Sequence, residues 1–280
     1  MSAPVATFRD ALADAGRPLF GMWASSGSAL VAEICAGSGL DWLLIDTEHS
    51  PNGLESTLAQ LQAVAASPIT PVVRAPIGDV VAIKQLLDLG AQNLLIPMVS
   101  TAEEARALVA AVRYPPRGVR GVGSALARAA RWNRVDDYLG RADEFVSLFV
   151  QIETLAAVDA AAEIASVGGI DGVFVGPADL SASMGMLGHP THPDVVAQVI
   201  RTFDAVRAAG KPVGVNAFDP ATADAYVAAG AAFVLVGADV TLLDIARAAA
   251  TAAEREAIAA SLERFRWNRR KAAKALGVSY

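Results

Sequence analysis

The feature that most constrains this chain is an alternation of eight short β-rich runs with Ala- and Leu-rich stretches of helical periodicity. The runs are LFGMWA (19–24), WLLIDT (42–47), TPVVRA (70–75), NLLIPMV (93–99), FVSLFVQIE (145–153), GVFVG (172–176), PVGVNA (212–217) and FVLVG (233–237). Most are almost continuously apolar, as parallel strands covered by helices must be. The segments between them, LESTLAQLQAVAA and VVAQVIRTFDAVRAAG among them, are amphipathic, and Gly90, Gly210 and Gly230 close three of them as helix C-caps. Strand–helix alternation repeated eight times over roughly 250 residues predicts a TIM (β/α)8 barrel. A doubly wound open α/β sheet is the alternative. The Gly-rich GVRGVG at 118–123 follows no clear strand and reads as a loop, not a dinucleotide fingerprint.

Length and charge narrow the function classes. A chain of 280 residues accommodates one large domain with a short appendage. Its net charge of −6 gives the surface as a whole no attraction for nucleic acid or anionic lipid. No apolar run approaches a membrane span, and MSAPVATFRDALADAG lacks the form of a secretory signal, so a cytoplasmic protein is expected. Cys35 is the only cysteine and sits in an amphipathic stretch, which excludes disulfide and Cys-based zinc frameworks and suits a buried structural thiol.

Two segments depart from the pattern. Residues 114–144 are longer than an ordinary connection, which points to a functional loop reaching a neighbouring subunit. Residues 256–280 carry six Lys or Arg against two Glu, a net +4 that leaves −10 on residues 1–255. The expected organisation is therefore a barrel over 1–255 and a basic helical tail over 256–280.

Active sites of such barrels lie at the C-terminal ends of the strands, so strand assignment filters the polar residues. Asp46, Glu48 and His49 follow the second strand, Arg74 ends the third, and Gln151 and Glu153 end the fifth. Asp179 follows the sixth, Asn216 ends the seventh and Asp239 follows the eighth. Glu153 and Asp179 together form a hard-oxygen pair suited to Mg²⁺ or Mn²⁺, with helix capping the alternative for Asp179. Asp46, three residues before His49, suggests an Asp–His dyad. Arg74 is placed to hold a carboxylate or an enolate, or to bridge to a neighbouring acid. His189 and His192, in LGHPTHP, read as loop residues. The four lysines (Lys84, Lys211, Lys271, Lys274) avoid the strand ends, so Schiff-base chemistry lacks its nucleophile and metal catalysis is favoured.

Taken in order, LLIDTEHSPN, PVVRAP, IKQLLDLGAQNLLIPMV, YPPRGVRGVG, RWNRVDDY, QIET and VFVGPADLSASMG resemble the HpcH/HpaI-type metal-dependent hydroxy-ketoacid (pyruvate) aldolases, from about residue 17 to about residue 250. The resemblance implies a phosphoenolpyruvate/pyruvate-type barrel and a divalent metal (Mg²⁺, Mn²⁺ or Co²⁺) on Glu153 and Asp179, with no organic cofactor. It implies a catalytic His49 supported by Asp46, and Arg74 at the pyruvate enolate. Gln151 and the backbone of Gly176, Pro177 and Ala178 would lie along pyruvate, and Asp88 would support the site near a subunit interface. Trp23 and Arg128 or Arg131 fall in regions used around the aldehyde. The implied partners are pyruvate, a small aldehyde and further copies of the chain in a hexamer, a trimer of dimers exchanging the last barrel helix.

The reaction so implied is reversible aldol cleavage of 4-hydroxy-2-oxoacids, with either His49 or a hydroxide positioned by it as base. An acyl-CoA lyase of the citrate-lyase type is the alternative enzyme. LERFRWNRRKAAKALGVSY resembles the start of a Fis-type helix-turn-helix, and the sequence given stops where the recognition helix would begin. That argues against sequence-specific DNA binding and for a basic solvated helix; a barrel tethered to DNA is the third reading.

Overall fold

The computed structural model describes residues 6–123 and 126–242, with Glu256 and Ala260. Eight strands run β1 (Leu19–Ala24), β2 (Trp42–Asp46), β3 (Thr70–Arg74), β4 (Asn93–Ile96), β5 (Ser147–Ile152), β6 (Gly172–Val175), β7 (Val213–Asn216) and β8 (Phe233–Ala238). Every neighbouring pair is parallel, and β8 returns to β1 to close the barrel. The closed sheet settles the choice between barrel and open sheet. Predicted and observed strands coincide to within a few residues. The apolar runs at 93–99 and 145–153 extend past their strands because the chain leaves the hydrogen-bonded ladder before it leaves the buried rim.

Two compact units partition the chain, Met1–Asp239 and Val240–Tyr280. The division falls just after β8. The tail and its helix-turn-helix resemblance lie outside the described residues except for Glu256 and Ala260. No helix among the described residues is long and apolar enough to cross a membrane.

In a closed parallel sheet alternate residues point inward. The lower interior is an aromatic cluster of Trp42, Phe149, Phe174 and Phe233. Phe8, from the opening helix Phe8–Asp14, is driven into it, with ring centroids 5.0 Å from Trp42 and 5.2 Å from Phe149. The Phe8 amide donates to Asn93 Oδ1 at 2.7 Å, so this helix seals the N-terminal mouth. The large rings fit because each faces a glycine on the adjoining strand, Gly21 beside Trp42, Gly172 beside Phe149 and Gly214 beside Phe233. A Cβ on Gly172 would lie 2.6 Å from the Phe149 ring and 2.9 Å from the Pro212 carbonyl oxygen.

The connection 114–144 joins the helix Ala102–Val112 to the start of β5, so it too lies at the N-terminal mouth. It builds its own small core from Tyr114, Ala130, Tyr138, Ala142 and Phe145. Arg120 is wholly buried, 4.5 Å over the Tyr114 ring, with Nη2 3.4 Å from Asp88.

The packing yields a test. Gly172→Ala should lower stability by about 1–3 kcal/mol through overpacking, read as an earlier urea midpoint with unchanged slope. An unaltered midpoint would show that the Phe149 ring has room to spare.

Candidate active site

The upper layer of inward-facing residues is polar. It comprises Trp23 on β1, Asp46 on β2, Arg74 on β3, Gln151 and then Glu153 at the end of β5, and Asn216 on β7. Asp46 and Arg74 are register partners across β2 and β3. That pairing, not the three-residue spacing to His49, decides what Asp46 does. Its Oδ1 accepts from Arg74 Nε at 2.8 Å, and the two side chains are 3% and 6% exposed. Its Oδ2 accepts from Ser50 Oγ at 3.1 Å and from the backbone N–H of His49 at 3.3 Å. Burial raises the Asp46 carboxyl, but the Arg74 hydrogen bond and charge outweigh it and hold the group below its ordinary value.

The expected Asp46–imidazole dyad is thus corrected, since the carboxylate orients the loop backbone and the arginine and does not touch the ring. The acid nearest the His49 imidazole is Glu48, whose Oε2 lies 3.8 Å from Nε2. His49 itself is exposed at the rim. Glu48 Oε2 also lies 2.9 Å from Arg74 Nη1, so the arginine bridges two acids through two nitrogens. Its guanidinium rests 4.3 Å above the Trp23 ring, and the Trp23 Nε1–H donates to Asn216 Oδ1 at 2.8 Å. Arg74 Nη2 has no partner among the described residues and is the remaining donor for a ligand oxygen.

Glu153 is 2% exposed. Its Oε1 accepts from the Met98 N–H at 2.7 Å, and its Oε2 from Gln151 Nε2. Met98 holds the left-handed conformation, φ 57°, that aims its N–H at the carboxylate. Burial pushes the Glu153 carboxyl up to about 7, with the nearby charges of Asp179 and Glu48 adding to the rise. Gly176 is required beside it, because a Cβ there would lie 2.8 Å from Glu153 Oε2 and 3.0 Å from Gln151 Nε2. Asp179 lies in the first turn of the helix Pro177–Ser183, exposed, and that helix has no side-chain cap. Ala178 is exposed and Pro177 buried in the same turn.

Other predicted residues lie elsewhere. Asp88 ends the helix Val80–Asp88, which delivers the chain to the start of β4, so within one chain it stands at the opposite mouth with Arg120. Arg128 donates to the Leu89 carbonyl oxygen at 2.8 Å and Arg131 lies near it, so neither reaches the rim of its own barrel. Asp239 accepts from the backbone N–H groups of Ser25 and Ser26 at 2.8 and 3.0 Å, tying the loop after β1. His192 caps the helix Pro193–Ala208, as a loop residue should. Sequence reading gave no role to Glu48 or to Asn52. Asn52 Nδ2 donates to the Asp46 carbonyl oxygen at 2.7 Å, and its Oδ1 accepts from Gln60 Nε2 at 2.7 Å, pinning the His49 loop.

Comparison with known proteins now joins this geometry. Residues 19–248 match the family described as HpcH/HpaI aldolase/citrate lyase. The chain belongs to that family. It is 58% identical over 247 residues to a hydroxypyruvate/pyruvate aldolase of Deinococcus radiodurans, covering 88% of each protein. It is 56% identical over 236 residues to a 4-hydroxy-2-oxo-heptane-1,7-dioate aldolase of Salmonella dublin, 84% of this chain and 89% of that protein. Among solved structures, an HpcH/HpaI aldolase/citrate lyase family protein from Burkholderia cenocepacia J2315 superposes with a TM-score of 0.85 at 41% identity. The match covers 89% of this chain and 98% of that one. Residues 250–280 match a second description, bacterial regulatory protein, Fis family.

The family reading raises the question of a divalent cation, and the residues fit one. Asp179 lies close enough to raise the proton affinity of both Glu153 and Glu48, and Gln151 Oε1 is buried without a hydrogen-bond partner. An acid cluster with an orphan amide oxygen is the donor set of a hard cation. Among the described residues no group of three or more His, Cys, Asp or Glu is placed to hold a metal ion by itself.

Glu153 therefore costs the metal-free fold stability. Its folded-state value lies above the ordinary 4.5, so the loss begins as pH rises past the unfolded value and is complete above about 7. With chelator at pH 8, Glu153→Gln should raise the melting temperature by a few degrees, and at pH 5 the gain should vanish. A variant that melts lower than wild type at pH 8 would contradict the buried charge.

Proposed function

We propose that this chain is a class II aldolase that reversibly cleaves 4-hydroxy-2-oxoacids into pyruvate and an aldehyde. The observation that carries the reading is the rim itself, where the buried carboxylate of Glu153, the first-turn Asp179 and an Arg74 fixed by two acids stand at the C-terminal ends of strands of one barrel. Glu153 and Asp179 would hold Mg²⁺, Mn²⁺ or Co²⁺, and Gln151 Oε1 would face the same centre. When bound, such a cation supplies Lewis acidity toward the keto acid.

The remaining work falls to side chains of this chain. In cleavage a proton leaves the 4-hydroxyl, the C3–C4 bond breaks, and its electron pair passes into the pyruvate fragment as an enolate that is then protonated at C3. His49, exposed at the rim beside Glu48, is the proton acceptor, either directly or through a positioned hydroxide. Arg74 Nη2 donates to the enolate oxygen, while Asp46 and Glu48 keep the guanidinium from swinging away. The backbone of Gly176, Pro177 and Ala178 lies along the pyruvate, and Trp23 with Asn216 walls the side where the aldehyde departs. Asp88 stands at the far mouth of its own barrel and would serve only the site of a second copy. That arrangement accords with the homo-hexamer implied by resemblance, and a cytoplasmic location accords with the same reading.

The test is pyruvate release from a panel of 4-hydroxy-2-oxoacids, with and without chelator. Release should stop on chelation and return with Mn²⁺ or Mg²⁺. Glu153→Ala and Asp179→Ala should abolish metal-dependent turnover with the fold intact. His49→Ala should lower kcat by about 10²–10⁴. Turnover indifferent to chelator, or wild-type rates in Asp179→Ala, would overturn the reading.

A further inference from the structure

A second cavity lies at the other mouth of the barrel. Its volume is about 140 Å³, and its floor is apolar, formed by Leu61, Val64, Ile69 and Pro71, with Arg128 and Arg131 on its wall. These are the two arginines of which resemblance implies one or the other around the aldehyde, and the fold places both by the starts of β3 and β4. Neither makes an ion pair with a carboxylate among the described residues. Arg128 spends one nitrogen on the Leu89 carbonyl oxygen, 2.8 Å away.

The position of Arg128 is built. Its Nη1 would lie only 2.7 Å from a Cβ on residue 90, and Gly90, at φ +92°, has none. Arg131, Trp132 and Asn133 follow one another in the left-handed conformation, with φ of 50°, 54° and 63°. Side chains rarely accept that conformation. Burial, with the charge of Arg131 adding to it, pulls the Arg128 guanidinium below its ordinary value. A half-buried cation beside a second cation, with no acid partner among the described residues, is an arrangement that a bound anion would relieve.

We propose that this cavity is a binding site, separate from the aldolase rim, for a small organic carboxylate with an apolar body. The carboxylate would sit between Arg128 and Arg131, in a lining that also includes Ser67 and Thr70. The apolar part would lie on Leu61, Ile69 and Pro71. Two guanidinium groups without acid partners select the anion, and the apolar floor selects a carboxylate that carries hydrocarbon over bare phosphate. An occupant would join the start of β3 to the 114–144 connection and so would stabilise the fold.

The full chain, titrated calorimetrically with benzoate and separately with inorganic phosphate, tests this. Benzoate should bind one per chain, equally with and without chelator and with and without saturating pyruvate, and should raise the melting temperature. Arg131→Gln, at the more open position, and Arg128→Gln should each weaken benzoate at least tenfold. Binding of phosphate with benzoate inert would overturn the organic-carboxylate assignment. Benzoate displaced by pyruvate, unaffected by either variant, or giving no heat would overturn the site. A raised substrate KM in Arg131→Gln with benzoate affinity unchanged would assign the arginines to a partner's aldolase site and would also overturn it. Failure of the aldolase assay leaves each of these outcomes readable, because none depends on turnover.

Discussion

A carboxylate buried at the mouth of a closed parallel sheet must find either a proton or a cation, and Glu153 is such a group. It has two N–H donors, but burial and the neighbouring acids still raise its proton affinity. Much of the upper rim can be understood from that tension. Gly176 leaves the carboxylate room, Met98 bends into a left-handed conformation to meet it, and Asp179 adds charge from the next helix. The same arrangement weakens the metal-free fold and, on the proposed reading, would suit a cation, an exchange of stability for activity.

The barrel separates these demands by position. Its lower interior is filled with aromatic rings set against glycines and sealed by Phe8, which concentrates packing energy at the N-terminal mouth. Its upper interior is polar and open to ligands. The 114–144 connection and its buried Arg120 belong to the lower end, so the longest connection of the barrel does not shape the rim of its own chain.

Much of this is legible in the sequence. Buried parallel strands must be apolar, so all eight runs stand out, and the polar residues ending the second, third, fifth and seventh runs mark the rim. Glu153, Arg74 and Gln151 were visible for that reason. What spacing along the chain does not carry is register between strands. Asp46 and His49 are three residues apart and suggest a dyad, yet Asp46 faces Arg74 across the β2–β3 ladder and bonds to it. Glu48 is placed on the rim by its strand but given no role there, because its meaning comes only from Arg74 and His49 standing beside it. Asn52 likewise reads as a turn residue until its bonds to Asp46 and Gln60 are seen. Asp88, Arg128 and Arg131 come from resemblance, and two helices that return the chain to the strand starts, Val80–Asp88 and Ala102–Val112, bring them to the opposite mouth.

The central claim is that Glu153 and Asp179 share one cation whose remaining positions stay open. Water-proton relaxation with Mn²⁺ measures this without turnover. One Mn²⁺ should bind per wild-type chain with exchangeable water still on it, added pyruvate should displace part of that water, and Asp179→Asn should lose the tight site. Equal Mn²⁺ binding by wild type and by the Glu153→Gln, Asp179→Asn double variant would contradict the account.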